Sequence, residues 1–223
     1  MNVLISFAKC VLDRFKSFNR FQTDMKIYAF VDVHGRKRII DEIIETAKRE
    51  KPDIIIDAGD ISNFGKGLKE GLERLDTLGV PVLILHGNHE SEEQMNEMCQ
   101  NFANVIFMHK GLFELDNYAF FGYGGGGFSR KDDVFERISK IVIKKIKGKK
   151  LIFFSHAPIF KTKTDYIRGK HLGNESYRKF IEETKPKLVI CGHFHETAKM
   201  TDDISGSLVV NPGPYGLIFN FKD

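Results

Sequence analysis

The side chains that could do chemistry in this 223-residue sequence fall into five short groups. They are Asp32 with His34, Asp60 alone, Asn88 with His89, His156 alone, and His193 with His195. Five of the eight histidines belong to this set. One histidine at the end of an apolar run is usually structural, with its ring satisfied by neighbours. Five groups in succession, each closing an apolar run, point to a shared purpose. Asp-x-His and His-x-His put alternate side chains on one face of an extended segment, so both can reach one centre. Mixed nitrogen and oxygen donors suit Zn2+, Mn2+ or Fe rather than the oxygen cages of Ca2+ or Mg2+. A dipeptide-spaced histidine pair and a lone aspartate on a central strand point to two ions sharing a bridging carboxylate.

The elements that must position these groups are legible as strand, loop and helix in alternation. Lys26–Val31 reads as a strand ending in Asp32-Val33-His34-Gly35. Arg36–Glu50 reads as a helix with Ile39, Ile40, Ile43, Ile44 and Ala47 on one face. Ile54–Asp60 begins as a strand covered on both faces and ends in Gly59-Asp60, where a glycine lets the chain turn out of the sheet. A helix near Leu68–Leu78 follows, then a strand at Val82–Leu85 and a helix opened by Ser91 with an acidic first turn. Three such units predict a parallel α/β half, with ligand sites at the C-terminal strand ends.

The second half changes character. Val105–Met108, Leu112–Leu115 and Tyr118–Gly122 are short runs close together, which predicts antiparallel pairing. Residues 132–147 read as a helix with Phe135, Ile138, Ile141, Val142 and Ile146 facing inward. Leu151–Phe154 and Lys187–Cys191 read as buried strands, with a helix near Glu175–Glu183 between them. Thr197–Thr201, Ser207–Val210 and Gly216–Phe221 read as closing strands. Before all this, residues 3–18 carry Leu4, Phe7, Ala8, Val11, Phe15 and Phe18 at helical spacing. Residues 1–24 are therefore expected to be an amphipathic helical extension that covers the domain of residues 25–223, with a homodimer contact or interfacial anchor as the sharper reading.

Composition sets the outer bounds. The apolar fraction of 42% and charged fraction of 29% describe an ordinary globular chain. A net charge of +4 is too small to argue for nucleic acid. The run from Lys144 to Lys150 reads as a solvated helix end. Cys10, Cys99 and Cys191 are widely spaced and contain no Cys-x-x-Cys pair, so free thiols in a reducing cytoplasm are expected. No membrane-length apolar run and no signal-peptide pattern is seen.

Taken in order, Asp32/His34, Gly59-Asp60, Gly87-Asn88-His89-Glu90, His156 and Gly192-His193-Phe194-His195 resemble the motifs of the calcineurin-like metallophosphoesterases. The Ser155–Pro158, Cys191–His195 and Asn211–Pro214 stretches look like its small single-domain prokaryotic branch. The resemblance runs from about Met25 to the C-terminus. It implies a four-layer αββα sandwich of two mixed β-sheets flanked by helices. It implies one metal on Asp32, His34 and His195, another on Asn88, His156 and His193, and Asp60 as the bridge. It implies two divalent transition-metal ions, Mn2+ first, with Fe, Zn2+ or Ni2+ compatible. The expected reaction is phosphodiester or phosphomonoester hydrolysis by in-line attack of a metal-bridging hydroxide. Asn88 and His89 would contact a small phosphate-ester substrate, and His89 would assist the transition state or the leaving group. The alternative is a non-catalytic metal-binding scaffold on the same fold that recruits a partner protein. A nuclease is a third reading, with no added DNA-binding domain to support it.

Some residues depart from the pattern or carry weaker signals. Glu90 stands where many members of the family have Asp to orient the preceding histidine. The Gly59-Asp60 motif continues as Ile61-Ser62-Asn63-Phe64-Gly65 rather than the Asp-Arg-Gly of protein serine/threonine phosphatases, which argues against a protein substrate. Gly124–Gly127 lacks the Lys-Ser/Thr of a P-loop and reads as a turn or a loop lining the substrate pocket. Arg168 and His171 read as surface residues that could face the pocket. His86 and His109 show no partner. Asp57 shares a strand face with Ile55, and its role is open between a loop hydrogen bond and support of the ligands.

Overall fold

The computed structural model describes residues 24–127 and 129–222. The N-terminal helix expected at residues 3–18 lies outside them. The first sheet is built from β1 (Met25–Phe30), β2 (Ile54–Asp57), β3 (Val82–Ile84), β4 (Val105–Phe107) and β13 (Leu217–Phe221), in the order β13-β1-β2-β3-β4. The strands β1 to β4 run parallel, and β13 closes one edge antiparallel to β1. The second sheet is built from β5 (Gly111–Leu115), β6 (Tyr118–Tyr123), β7 (Lys150–Ser155), β10 (Leu188–Ile190), β11 (Thr201–Ile204) and β12 (Ser207–Val210). Their order is β11-β12-β10-β7-β6-β5. Here β6, β7, β10 and β12 are parallel, and the edge strands β5 and β11 are antiparallel to their neighbours. A small hairpin, β8 (Tyr166–Ile167) with β9 (Lys170–His171), stands apart from both.

Period-2 alternation explains the layering. Ile27, Ala29, Ile54, Ile56 and Leu83 point to one side of the first sheet and meet Phe120, Ile152, Phe154, Leu188 and Ile190 of the second. Tyr28, Phe30, Ile55 and Ile84 point the other way, onto helices α1 (Lys37–Glu50), α2 (Leu68–Asp76) and α3 (Glu92–Cys99). The outer face of the second sheet carries Phe121, Phe153 and Val189 against α4 (Asp133–Lys145) and α5 (Glu175–Thr184). Each fully buried residue of this size contributes roughly 1.5–3 kcal/mol. The result is the expected αββα sandwich of two mixed sheets. Three of its helices start at side-chain caps: Ser91 accepts from Gln94 N (3.1 Å), Asp132 from Phe135 N (2.8 Å) and Asn174 from Tyr177 N (3.0 Å). Among the described residues, no helix is long and apolar enough to cross a membrane.

Three expectations are corrected. Val105–Phe107 does not pair antiparallel with the following runs; α3 carries the chain over so that β4 adds parallel to β3. Thr197–Thr201 is not a strand, because His195–Thr197 is a single 3-10 turn and the strand starts at Thr201. Ile141 does not face inward; it is 48% exposed, because Phe135, Ser139 and Val142 already fill the buried stripe of α4. Lys144 and Lys145 end α4 as the charge run suggested, whereas Lys149 pairs with Glu114 at 3.3 Å.

Candidate metal centre

Each sequence-derived ligand follows a strand within a few residues, and the structure brings all seven together. β1, β2 and β3 end at Phe30, Asp57 and Ile84, just before Asp32, Asp60 and Asn88. β7 and β10 end at Ser155 and Ile190, just before His156 and His193. The loops are laced to one another by backbone hydrogen bonds, Asp32 N to Gly59 O (3.0 Å), His34 N to Asp60 O (2.8 Å) and Gly35 N to Ile61 O (2.7 Å). Asp32, His34, Asp60 and His193 all stand at positive φ (61°, 54°, 58° and 71°). Such backbone is costly for side chains with a Cβ and collects where function over-determines it.

The donors fall into two groups around Asp60. Asp32, His34 and His195 offer atoms within 4.8 Å of one another, and His34 Nε2 lies 2.9 Å from His195 Nε2. On the other side, Asn88 Oδ1 lies 3.1 Å from His156 Nε2 and 2.8 Å from His193 Nδ1. Asp60 Oδ2 lies 3.9 Å from His34 Nε2 and 3.4 Å from His156 Nε2, so one carboxylate faces both groups. The floor is closed, with Asp32, Asp60 and His156 buried, while His195 and Asn88 are exposed at the mouth.

Two features show that this donor set fits cations. His156 Nδ1 lies 3.1 Å from the Ala58 carbonyl, which can only accept. Nδ1 therefore carries the hydrogen, and in the neutral ring Nε2 presents a lone pair to Asn88 Oδ1 and Asp60 Oδ2, both acceptors. A positive charge, proton or metal, must sit among these three atoms. The second is Asp32 Oδ1, which is buried without a hydrogen-bond partner. The electrostatics agree. Burial raises Asp60, but the hydrogen bond and charge of His156 outweigh it and hold Asp60 down at about 2. Burial lowers His34 and His193 to about 4, which keeps their nitrogens available as lone pairs. For His156 burial acts downward, yet Asp60 drives the net shift up.

His89 stands beside the cluster. Its backbone N donates to Asp60 Oδ1 (2.9 Å) and its Nδ1 faces Asn63 Oδ1 (3.3 Å). Glu90 does not orient it. The Glu90 carboxylate is buried and accepts from Asp60 N (3.2 Å), Ser62 N (2.8 Å), Ser62 Oγ (2.7 Å) and Gly87 N (3.1 Å). The extra methylene of Glu lets it reach across to the loop after β2 and clamp that loop to the one after β3. Asp57 is resolved in the same way: its Oδ1 accepts from Gly59 N (3.0 Å) and so shapes the turn that delivers Asp60. It is fully buried, and burial raises its pKa well above the usual carboxylate value.

The remaining signals separate clearly. The sequence missed Arg36, whose guanidinium donates to the carbonyls of Asp32 and Val33 and locks the first ligand loop. His86 and His109 do have a partner, each other, with ring centroids 4.5 Å apart. Gly124 packs on them: its N donates to His109 Nδ1 (2.9 Å), and a Cβ there would lie 2.6 Å from His86 Nδ1. Close approach, rather than phosphate cradling, accounts for that glycine. His171 is held by the buried Asp165 (Nδ1 to Oδ1, 2.6 Å) and lines a cavity of about 540 Å3 with Lys161, Tyr166 and Glu196.

Two stacked sheets with aspartate, asparagine and histidine clustered at the C-terminal strand ends define a metal-site α/β sandwich. Residues 25–197 match the calcineurin-like phosphoesterase family, and the chain belongs to it. It is 32% identical to the uncharacterized protein MJ1162 of Methanocaldococcus jannaschii over 85% of this chain and 88% of that protein. An uncharacterized protein of Acanthamoeba polyphaga mimivirus, L509, is 24% identical over 86% of this chain and 72% of its own length. Among solved structures, TT1561 of Thermus thermophilus superposes with a TM-score of 0.71 at 17% identity, covering 86% of this chain and 90% of that one. A dimetal phosphatase from Danio rerio superposes with a TM-score of 0.60 at 13% identity, covering 83% and 86%. At these identities the structural likeness is one of fold.

Proposed function

We propose that the chain hydrolyses phosphate esters, either phosphodiesters or small activated monoesters, at a centre of two divalent ions. Asp32, His34 and His195 would hold one ion, Asn88, His156 and His193 the other, and Asp60 would serve both. The observation that carries this reading is the convergence of His156 Nε2, Asn88 Oδ1 and Asp60 Oδ2, which a proton or a metal ion between them would satisfy. When bound, the ions would activate water and neutralise charge on the phosphoryl oxygens, Mn2+ being the first candidate and Fe, Zn2+ or Ni2+ compatible.

The chain's own residues have distinct tasks. Asn88 adds an oxygen donor at the exposed mouth without adding negative charge where an anionic ester must land. His89 turns Nδ1 to Asn63 Oδ1 and leaves Nε2 facing the cluster, 3.9 Å from Asp60 Oδ2, placed to hand a proton to the leaving oxygen. Arg36, Asp57 and Glu90 hold the three ligand loops so that these atoms are set before substrate arrives. The buried thiols of Cys99 and Cys191 accord with a cytoplasmic setting.

The test is to measure bound metal, then assay the loaded protein on bis(p-nitrophenyl) phosphate, p-nitrophenyl phosphate and thymidylyl-thymidine, with Asp60→Asn and His89→Ala beside the wild type. The expectation is that Asp60→Asn loses metal and activity together, whereas His89→Ala keeps its metal, loses about 10²–10⁴-fold in kcat on an alkyl diester such as thymidylyl-thymidine, and loses far less on the p-nitrophenyl esters, whose leaving group departs unprotonated. Loaded wild type that turns over none of these esters would return the chain to the scaffold reading.

A further inference from the structure

Phe64 is the most exposed large apolar residue described, at 76%, and it is held in backbone that a phenylalanine avoids. Asn63 and Lys66 exchange both backbone hydrogen bonds at 3.1 Å, which makes Phe64 and Gly65 the two central residues of a tight hairpin turn. Their φ values are +53° and +83°. Positive φ at both positions is the signature of a type I′ turn, where Asn, Asp or Gly normally stands first. A bulky aromatic there strains the turn and gains nothing from burial. The turn is not loose: Gly65 N donates to Ser62 Oγ (3.0 Å), and Ser62 is gripped by Glu90. The clamp that sets Asp60 therefore also fixes Phe64.

The ring has one described aromatic neighbour, His89, stacked at 4.1 Å between centroids with 30° between planes. His89 in turn meets the His34 ring edge-on at 4.5 Å. The three rings form a file leading outward from the metal cluster, with Phe64 at its open end.

We propose that Phe64 is a platform for the leaving group: it stacks the flat ring of a phosphoester whose departing arm is a nucleoside or an aryl alcohol. This rests on the phosphoesterase reading above. A leaving oxygen placed to take a proton from His89 must carry its substituent past His89, and Phe64 is what the substituent meets there. Base–aromatic stacking is worth enough to change affinity by about tenfold or more. It is indifferent to which flat ring is offered, so the platform selects ring-bearing arms as a class.

The experiment compares three diesters, thymidylyl-thymidine, methyl p-nitrophenyl phosphate and glycerophosphoethanolamine, on metal-loaded wild type, Phe64→Ala and Phe64→Trp. Wild type should favour the ring-bearing diesters, Phe64→Ala should reduce that kcat/KM preference about tenfold, and Phe64→Trp should keep it. Thymidylyl-thymidine and glycerophosphoethanolamine both release an alcohol whose oxygen needs a proton, so their ratio cancels any loss that acts through His89. Loss of preference for the dinucleotide alone would assign the platform to nucleobases, and for the aryl ester alone to aryl arms. Equal loss on thymidylyl-thymidine and glycerophosphoethanolamine, with methyl p-nitrophenyl phosphate spared, would overturn the platform and leave Phe64 as a support for His89. Calorimetry of thymidine 5′-monophosphate against inorganic phosphate gives a readout that needs no turnover. If no diester is hydrolysed but the nucleotide binds about tenfold tighter through Phe64, the hydrolase reading falls and the platform stands. Equal binding of the two ligands by wild type, with no Phe64-dependent preference for either ring-bearing diester, would sink the platform.

Discussion

Glu90→Ala separates a carboxylate that clamps loops from one that orients a histidine. Glu90 accepts from three backbone donors, Asp60 N, Ser62 N and Gly87 N, and from Ser62 Oγ. It is 7% exposed, so water reaches these donors poorly. Truncation orphans three N–H groups at about 1–3 kcal/mol each. Part of that cost is returned, because the native state no longer buries a charge, and burial already raises the Glu90 pKa. A net loss of about 3–4 kcal/mol corresponds to a fall in Tm of about 6–16 °C for a protein of this size. Glu90→Asp should fall between, since a carboxylate one methylene shorter keeps some of the bonds at longer range. The chain has no tryptophan, so thermal unfolding is followed by far-UV circular dichroism, in chelator to remove any contribution from metal. A Glu90→Ala Tm within about 2 °C of wild type would refute the clamp. Lost turnover with an unchanged Tm would restore Glu90 to orienting His89.

Two further outcomes follow from the same geometry. A Cβ on Gly87 would run into Asp60 Oδ1 and lie 2.8 Å from Asp60 N, so Gly87→Ala should displace the shared carboxylate. Both metals should be lost together in inductively coupled plasma analysis, while a variant retaining one full equivalent would show that Asp60 is not shared. Burial lowers His86 to about 4, below its unfolded value near 6.5. The unfolded chain thus takes the proton first on acidification, so stability from His86 is complete above about pH 6.5 and is lost as pH falls towards 4. In metal-free protein, His86→Gln should therefore gain on wild type across that window, by on the order of 2–3 kcal/mol at its acid end. A wild-type-minus-variant difference that stays flat with pH would contradict the assignment.

What was legible in the sequence was local. Asp32-x-His34 and His193-x-His195 announce themselves within three residues, and apolar runs before them mark the strand ends that bring them together. The supports were not legible, because their partners are distant. Glu90 meets Ser62 across 28 positions, and nothing in a serine's neighbourhood says that a glutamate will find it. The positive φ of Asp32 and Asp60 leaves no compositional trace either, since no glycine occupies those positions. The misassigned strand Val105–Phe107 is a different failure. The helix at Glu92–Cys99 already stood between two apolar runs, and a strand–helix–strand unit pairs parallel; closeness to the next runs outweighed that signal. Phe64 sits between these cases. The sequence printed an aromatic in a polar turn, Ser62-Asn63-Phe64-Gly65, where propensity asks for asparagine or glycine. Only the stack on His89 ties that local inconsistency to the cluster of candidate ligands. A residue that breaks a local rule without burial to reward it is where function is best sought, and in this fold that residue lies one ring beyond the Asp/His cluster.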